Sequence, residues 1–321
     1  GGELGSAPMT VRLGDVTVKK NFNVGPIILP SYFTLVLGPK TRFAPTVKIE
    51  AVPGDANPGV GMLSTHLVGG TALSGTNGSA VVTIDFSYTG RVNVGACLAI
   101  FGIEPLTQNA VAISGAIDAS VTTITFASDM TDEFGGLAYI KIDNEIIRGT
   151  VSGTTMTGCV RGVNGTTAAS HADLATATQM VSRIYRVVAK SGTSVTLDTA
   201  LDRNLTGAKW RCGSVDTRII GSGIIDGELN RADPPSGTWQ CFASTLSAGL
   251  QVSGGLRLKG GGHGGFMLMG CRDHSVEVDS IEDCTLIASS LGASFWLFGN
   301  VANGQVQVRN VDNGNLGFAI D

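Results

Sequence analysis

The sequence predicts an all-β solenoid, a right-handed parallel β-helix that carries a small inserted β module. Three observations point there. A pattern returns near the end of the chain: Val276–Asp283 repeats at Val306–Asn313, and Leu256–Gly260 resembles Val276–Ser280 at a shorter offset. Each copy is a two-residue alternation closed by a turn and followed by a second apolar run: Phe266–Met269, Leu286–Ile287 and Leu316–Ile320. A unit of roughly 20–30 residues built this way cannot bury its own apolar face, so neighbouring units must stack. Composition agrees. Gly supplies 45 of 321 residues, charged residues only 15%, and Thr, Ser, Val and Ile favour strands and turns over helices.

The elements follow in order. Residues 9–22 alternate through Val11, Leu13, Val16 and Val18. Three apolar runs come next, Ile27–Leu29, Phe33–Leu37 and Val47–Ala51, cut by Pro30, Pro39 and Pro45. Proline cannot donate to a strand ladder, so these residues mark corners. Residues 53–80 read as loop, and Ala80–Tyr88 and Arg91–Ile103 as strands. The texture then changes: a strand over Ala119–Phe126 and a hairpin over Ala138–Val151, turning at Asp143–Glu145, form a module over 110–182. The expected organisation is therefore 1–109 as N-terminal strands and first coils, 110–182 as the inserted module, and 183–321 as further coils. Gly221 and Gly223 permit a corner that β-branched residues would forbid, and Ile219, Ile220, Ile224 and Ile225 are expected to feed core stacks. The chain stops on a strand at Ile320–Asp321 with no polar cap, so further coils are expected beyond it.

Several classes are disfavoured. The net charge is −4 without a basic cluster, which speaks against nucleic acid or an anionic membrane surface as partner. The longest apolar run, Ala96–Ile103, is too short to span a bilayer. Cys97, Cys159, Cys212, Cys241, Cys271 and Cys284 form no CxxC pair, and the four His complete no zinc spacing. Buried free thiols, no metal, no cofactor and synthesis in a reducing cytoplasm without a signal peptide are expected.

Two stretches carry resemblance. Ile142–Ala172 resembles a small β module that recurs in bacteriophage tail and fibre proteins. Ser194–Leu201, followed by Ile219–Gly227, resembles the entry into regular coils in the pectate-lyase-like β-helix superfamily. Together they imply a bacteriophage tailspike of the polysaccharide-depolymerase type: a virion-tail receptor-binding protein, homotrimeric and joined to other phage tail proteins. Such a protein binds a bacterial surface polysaccharide, capsule or O-antigen, and often cleaves it as a hydrolase or lyase. A secreted bacterial lyase or glycoside hydrolase, and a non-catalytic virion or adhesin part, are the alternatives.

Paired carboxylates are where glycan cleavage would reside, and alternate residues of one strand sit about 6.5–7 Å apart, inside the spacing such chemistry uses. Glu277 and Asp279 are the first candidate acid and base, and Glu228 and Asp233 the second. Arg257, Lys259 and Arg309 are expected beside Glu277 and Asp279 on adjoining coils, as substrate contacts or as a ladder of solvated charge pairs, with Gln307 beside Glu277 on the next coil. Trp239, in a loop, is the candidate sugar-stacking ring, whereas Trp296 reads as core. Asp226, Glu282, Asp283 and Asp312 read as corner residues. Gly262–Gly264 has the Gly-His-Gly of polygalacturonases, but the acidic motifs that accompany it in that family are missing, so His263 is assigned no role.

Overall fold

The computed structural model describes residues 7–22, 25–46, 61–130, 137–228, 240–261, 264–284, 295–298, 301–312 and 318–320. They divide into two compact units, the first formed by 1–68, 90–97 and 212–321, the second by 69–89 and 98–211. The second unit is wider than the 110–182 module read from the sequence.

The first unit begins with β1 (Met9–Leu13), β2 (Thr17–Lys20), β3 (Ile27–Leu29), β4 (Phe33–Leu37), β5 (Arg42–Pro45) and β6 (Gly61–Thr65). These are two stacked coils. β1 lies parallel beside β4, β2 beside β5, and β3 beside β6. Pro39 falls in the turn between β4 and β5, while Pro45 ends β5 opposite Lys20.

The chain then builds the second unit, an antiparallel assembly. Its strands are β7 (Leu67–Gly75), β8 (Val81–Thr83), β9 (Cys97–Ala112), β10 (Thr123–Thr125), β11 (Leu137–Ile142), β12 (Glu145–Ser152), β13 (Thr155–Val160), β14 (Thr176–Ser191), β15 (Ser194–Leu197) and β16 (Leu205–Gly213). The β11–β12 hairpin forms around Asp143, whose φ of 51° makes the tight turn. Ile113, Ile124, Ile140, Ile142, Ile147 and Met156 fill its core. The loop reading of 53–80 fails over 61–65 and 67–75, which are strands. The glycines that suggested a loop are there because neighbours come close: a Cβ on Gly69 would lie 2.4 Å from the Trp210 carbonyl oxygen, and one on Gly70 2.0 Å from Asp85 Oδ2.

The solenoid resumes with β17 (Arg218–Gly221), β18 (Ile224–Asp226), β19 (Gln240–Thr245), β20 (Gln251–Lys259), β21 (Gly264–Met269), β22 (Ser275–Glu282), β23 (Phe295–Phe298), β24 (Gln305–Asp312) and β25 (Phe318–Ile320). β17 stacks on β4, β18 on β5 and β19 on β6, all parallel, as though the 152 residues between Thr65 and Arg218 formed one long loop. One sheet therefore runs β1-β4-β17-β20-β22-β24 and a second β3-β6-β19-β21-β23-β25. Single parallel bridges, Val215–Ala248–Arg272–Ala302, stack where the second sheet turns into the first. The residue after each bridge, Asp216, Gly249, Asp273 or Asn303, has positive φ, so one left-handed corner is repeated coil after coil. The described residues thus form a parallel β-helix carrying an inserted β unit.

Columns of like residues fill the interior. Leu35, Ile219, Val252, Val276 and Val306 stack along the first sheet. Phe242, Phe266 and Phe295 stack along the second, with ring centroids 4.7 and 5.1 Å apart. Only half of the expected isoleucines point inward: Ile219 and Ile225 are fully buried, whereas Ile220 is 38% exposed and Ile224 half-buried. The pleat alternates, so consecutive residues of one strand cannot share the core. Buried hydroxyls pair with one another, Thr65 with Ser244 at 2.9 Å and Ser244 with Ser247 at 2.6 Å, which satisfies polar groups buried in the interior.

All six cysteines are free and buried. Cys241 and Cys284 meet at 4.0 Å as hydrogen-bonded thiols without a disulfide, and burial raises the thiols of Cys159, Cys241 and Cys271 above the ordinary range. A thiol reagent such as dithionitrobenzoate is expected to label none of them in the native protein and all six after denaturation. Rapid native labelling would show that the coil interior opens.

Candidate functional site

The outer face of the first sheet over β20, β22 and β24 holds the candidate pair. Ser275 lies beside Gln305 and Glu277 beside Gln307, and the alternation puts Val276, Val278, Val306 and Val308 inward and these polar residues outward. Gln305 Nε2 donates to Ser275 Oγ at 3.2 Å. A groove of about 350 Å³ opens here, and Ser253, Ser275, Glu277, Gln305 and Gln307 supply its polar lining.

Glu277 and Asp279 lie on one face of β22 and share one cation. Arg309, on the next coil, donates to Glu277 and reaches Asp279 at 3.9 Å. Their side chains are 33%, 38% and 54% exposed, which makes this a solvated charge cluster. The expected cations on the preceding coil are absent from this row. Arg257 stands opposite Ser280 and Lys259 opposite Glu282. The cause is a register shift: Val252 pairs with Val276 but Leu256 with Val278, so Ser253, Gly254 and Gly255 bulge opposite Glu277, and Asp279 bulges in turn before Ser280. The offset between these coils is 24 residues at Val276, not the 20 that matching Leu256 with Val276 implies.

Glu228 belongs to a different place. It follows β18 at a φ of 51°, and its carboxylate accepts from Arg42 Nη2 at 2.7 Å, while Asp226 accepts from the same nitrogen at 3.0 Å. Asp226 also accepts the Glu228 backbone N–H at 2.9 Å, and in register it faces Lys259, which faces Glu282, which faces Asp312. This row sets one cation, Lys259, between Asp226 and Glu282 and leaves Glu282 beside a second acid, Asp312, along the far edge of the sheet. Asp283 is a corner, at φ 53°, whose N–H donates to the Asp312 carbonyl at 3.2 Å. Asp233, Trp239 and His263 lie outside the described residues, as does the neighbour Asn313. Trp210 is fully buried in the second unit and presents no ring face.

The most constrained ionic site is one the sequence reading passed over. In the second unit Glu145 opens β12 with its side chain 1% exposed. Arg161 clasps it in a fork, Nε to Oε1 and Nη2 to Oε2, both at 2.8 Å. Backbone N–H groups of Gly162 and Ala169 donate at 2.9 and 3.0 Å. The His171 ring bridges Glu145 Oε2 and Asp143 Oδ2, at 2.8 Å each. Burial pushes the Glu145 carboxyl up, but the bonds from Arg161, Ala169, His171 and Gly162 outweigh it and hold the group at about 2. A buried carboxylate with every lone pair engaged is a fastening for the 161–171 loop, since it has no free oxygen to offer a substrate. The signal for it was present in the turn charge Glu145 and the isolated Arg161 and His171 of the phage-like stretch.

No family model matches the chain, and no curated protein matches it. Three solved structures to which it is similar are all tailspikes. The tailspike gp61 of Pseudomonas phage phi297 is 11% identical with a TM-score of 0.29, covering 90% of this chain and 41% of that one. The gp54 tailspike of Acinetobacter baumannii bacteriophage AP22, solved in complex with A. baumannii capsular saccharide, is 8% identical with a TM-score of 0.32, covering 92% and 45%. The tailspike gp49 of Pseudomonas phage LKA1 is 13% identical with a TM-score of 0.28, covering 94% and 47%. The chain spans less than half the length of each of these three.

Proposed function

We propose that the chain is the β-helical body of a phage tailspike-type receptor-binding protein, and that the groove over β20, β22 and β24 binds a bacterial surface polysaccharide. One observation carries the reading: successive coils present hydrogen-bonding side chains in register, the Ser275 hydroxyl beside the Gln305 amide and the Glu277 carboxylate beside the Gln307 amide, over a shared groove. Coils rise about 4.8 Å, close to the length of one sugar, so equally spaced donors and acceptors meet a repeating chain of hydroxyls. Assembly as a homotrimer with other phage tail proteins, in the virion tail, belongs to the same proposal and comes from the resemblance of Ile142–Ala172.

Within this groove the reading is binding rather than cleavage. A glycosidase acid must give up a proton to the leaving oxygen. Glu277 and Asp279 both face Arg309, and this ion pair would have to open before either could do so. The test uses the purified chain against capsule and lipopolysaccharide polymers, with affinity electrophoresis for binding, reducing-end and unsaturated-uronate assays for cleavage, and light scattering for the trimer. Binding is expected. Gln305→Ala with Gln307→Ala is expected to weaken it roughly tenfold or more, since each lost hydrogen bond is worth about 0.5–1.5 kcal/mol. Retention of the folded chain by none of these polymers would end the proposal.

A further inference from the structure

We infer that the groove selects an uncharged stretch of glycan, and that Glu277, by occupying Arg309, is the residue that turns polyanions away. This rests on the binding reading above and goes further by naming the charge class of the ligand.

The lining supplies the first part. Among the described groove residues Glu277 is the only charged one; the other polar groups are the hydroxyls of Ser253 and Ser275 and the amides of Gln305 and Gln307. An amide both donates and accepts, so it matches hydroxyl and N-acetyl groups, whereas a carboxylate or phosphate offers acceptors alone. Bringing such an anion into the groove would set it against Glu277, and no described lining residue offers it a positive charge.

The neighbouring cations supply the second part. Arg309 is the one guanidinium on β24, and it is shared by two carboxylates of the adjoining strand. Both are tethered at contact distance, so a dissolved anion competes at a concentration disadvantage. β22 and β24 together carry Glu277, Asp279, Glu282 and Asp312 against Arg309 alone, which leaves the surface negative. Lys259 is flanked in register by Asp226 and Glu282. Arg218 heads the row that runs through Gln251 to Ser275, two coils or about 10 Å away. Arg257 has no carboxylate beside it in register, but it sits opposite Ser280, about 10 Å along the strand from the Glu277 row.

The test is a panel of immobilised bacterial polymers, neutral and acidic, together with one matched pair of probes: polygalacturonate and its methyl ester, which share a backbone and differ in charge. The expected result is that every retained polymer is neutral and that retention changes less than twofold between 50 and 300 mM salt. Polygalacturonate is expected to be excluded by the wild-type chain. Glu277→Gln combined with Asp279→Asn is expected to raise its retention several-fold at low salt, and adding Arg309→Ala is expected to cancel the gain. Tight, salt-sensitive binding of an acidic polymer by the wild-type chain, lost in Arg309→Ala or Arg257→Ala, would overturn the inference while leaving the binding reading intact. An unchanged double variant with a native circular-dichroism spectrum would also overturn it. Retention of neither class would instead overturn the binding reading itself.

Discussion

Glu145→Ala is expected to remove about 3–5 kcal/mol from the stability of the second unit, the cost of breaking a buried pair and leaving its partner charge behind. Arg161, whose side chain is 7% exposed, would keep its charge while losing both fork bonds, and His171 would lose one of its two carboxylates. Two backbone donors, on Gly162 and Ala169, would be orphaned as well. Hydrogen exchange reads this locally: amides of β11, β12 and β13 are expected to lose several powers of ten in protection, while those of β20 and β22 change little. Equal protection in β12 with and without the carboxylate would show that the network is decorative.

The same group sets an acid limit on this unit. Its folded carboxyl titrates near 2, against 4.5 as the unperturbed value. A lowered folded value means that the stabilisation is complete above about 4.5, declines as the pH falls below it, and is gone near 2. The difference corresponds to about 3 kcal/mol. Amide protection in β12 is therefore expected to fall between pH 4.5 and 2 in the wild-type chain, and the Glu145→Ala chain is expected to lack that component. A wild-type profile flat across this window would contradict the assigned carboxylate.

The solenoid was legible in the sequence because its last two coils are plain. Val276–Glu282 and Val306–Asp312 have equal length and identical polarity, and the structure pairs them residue for residue. The preceding coil misled because period-two alternation looks the same after any even shift. Matching Leu256 with Val276 satisfies the pattern as well as the true Val252 partner does, and only the bulge at Gly254–Gly255 breaks the tie. That error moved Arg257 and Lys259 to the wrong row and made the Glu277 site look more cationic than it is. Gln307 is legible beside Glu277 from the repeat, and the register agrees, but its groove partner Gln305 passed unnoticed because an uncharged side chain signals no chemistry until register places it. Glu145 was hidden for a different reason. A carboxylate in a hairpin turn reads as solvated, and its partners stand 16 and 26 residues away in sequence. The glycines of 61–75 read as loop for want of knowledge of which neighbours press against them.

Gly221→Ala is expected to destabilise the solenoid by 3 kcal/mol or more, and the reason lies between coils. Gly221 stands opposite Leu37 on the preceding coil, and a Cβ added there would fall 2.0 Å from the Leu37 carbonyl oxygen and 2.9 Å from its carbon. Those are backbone atoms held by strand pairing, so they cannot swing aside. Its φ of +121° adds strain of about 1–3 kcal/mol for any L side chain. Retreat in the other direction is closed too, because Gly254 of the next coil packs so tightly that its own Cβ would lie 2.7 Å from the Gly221 nitrogen. Three coils therefore share one narrow column, and widening it at Gly221 separates β17 from β4 and from β20 together. Gly223 is the control. It marks the same corner in sequence, but its φ is not positive, and its Cβ would meet Thr41 O at 3.0 Å and the movable Leu37 side chain at 3.1 Å. Gly223→Ala is expected to cost about 1 kcal/mol, the scale of a modest overpacking. The midpoints of guanidinium unfolding decide it: Gly221→Ala well below Gly223→Ala supports the column, and equal midpoints would mean that the coils slide apart to admit a methyl group.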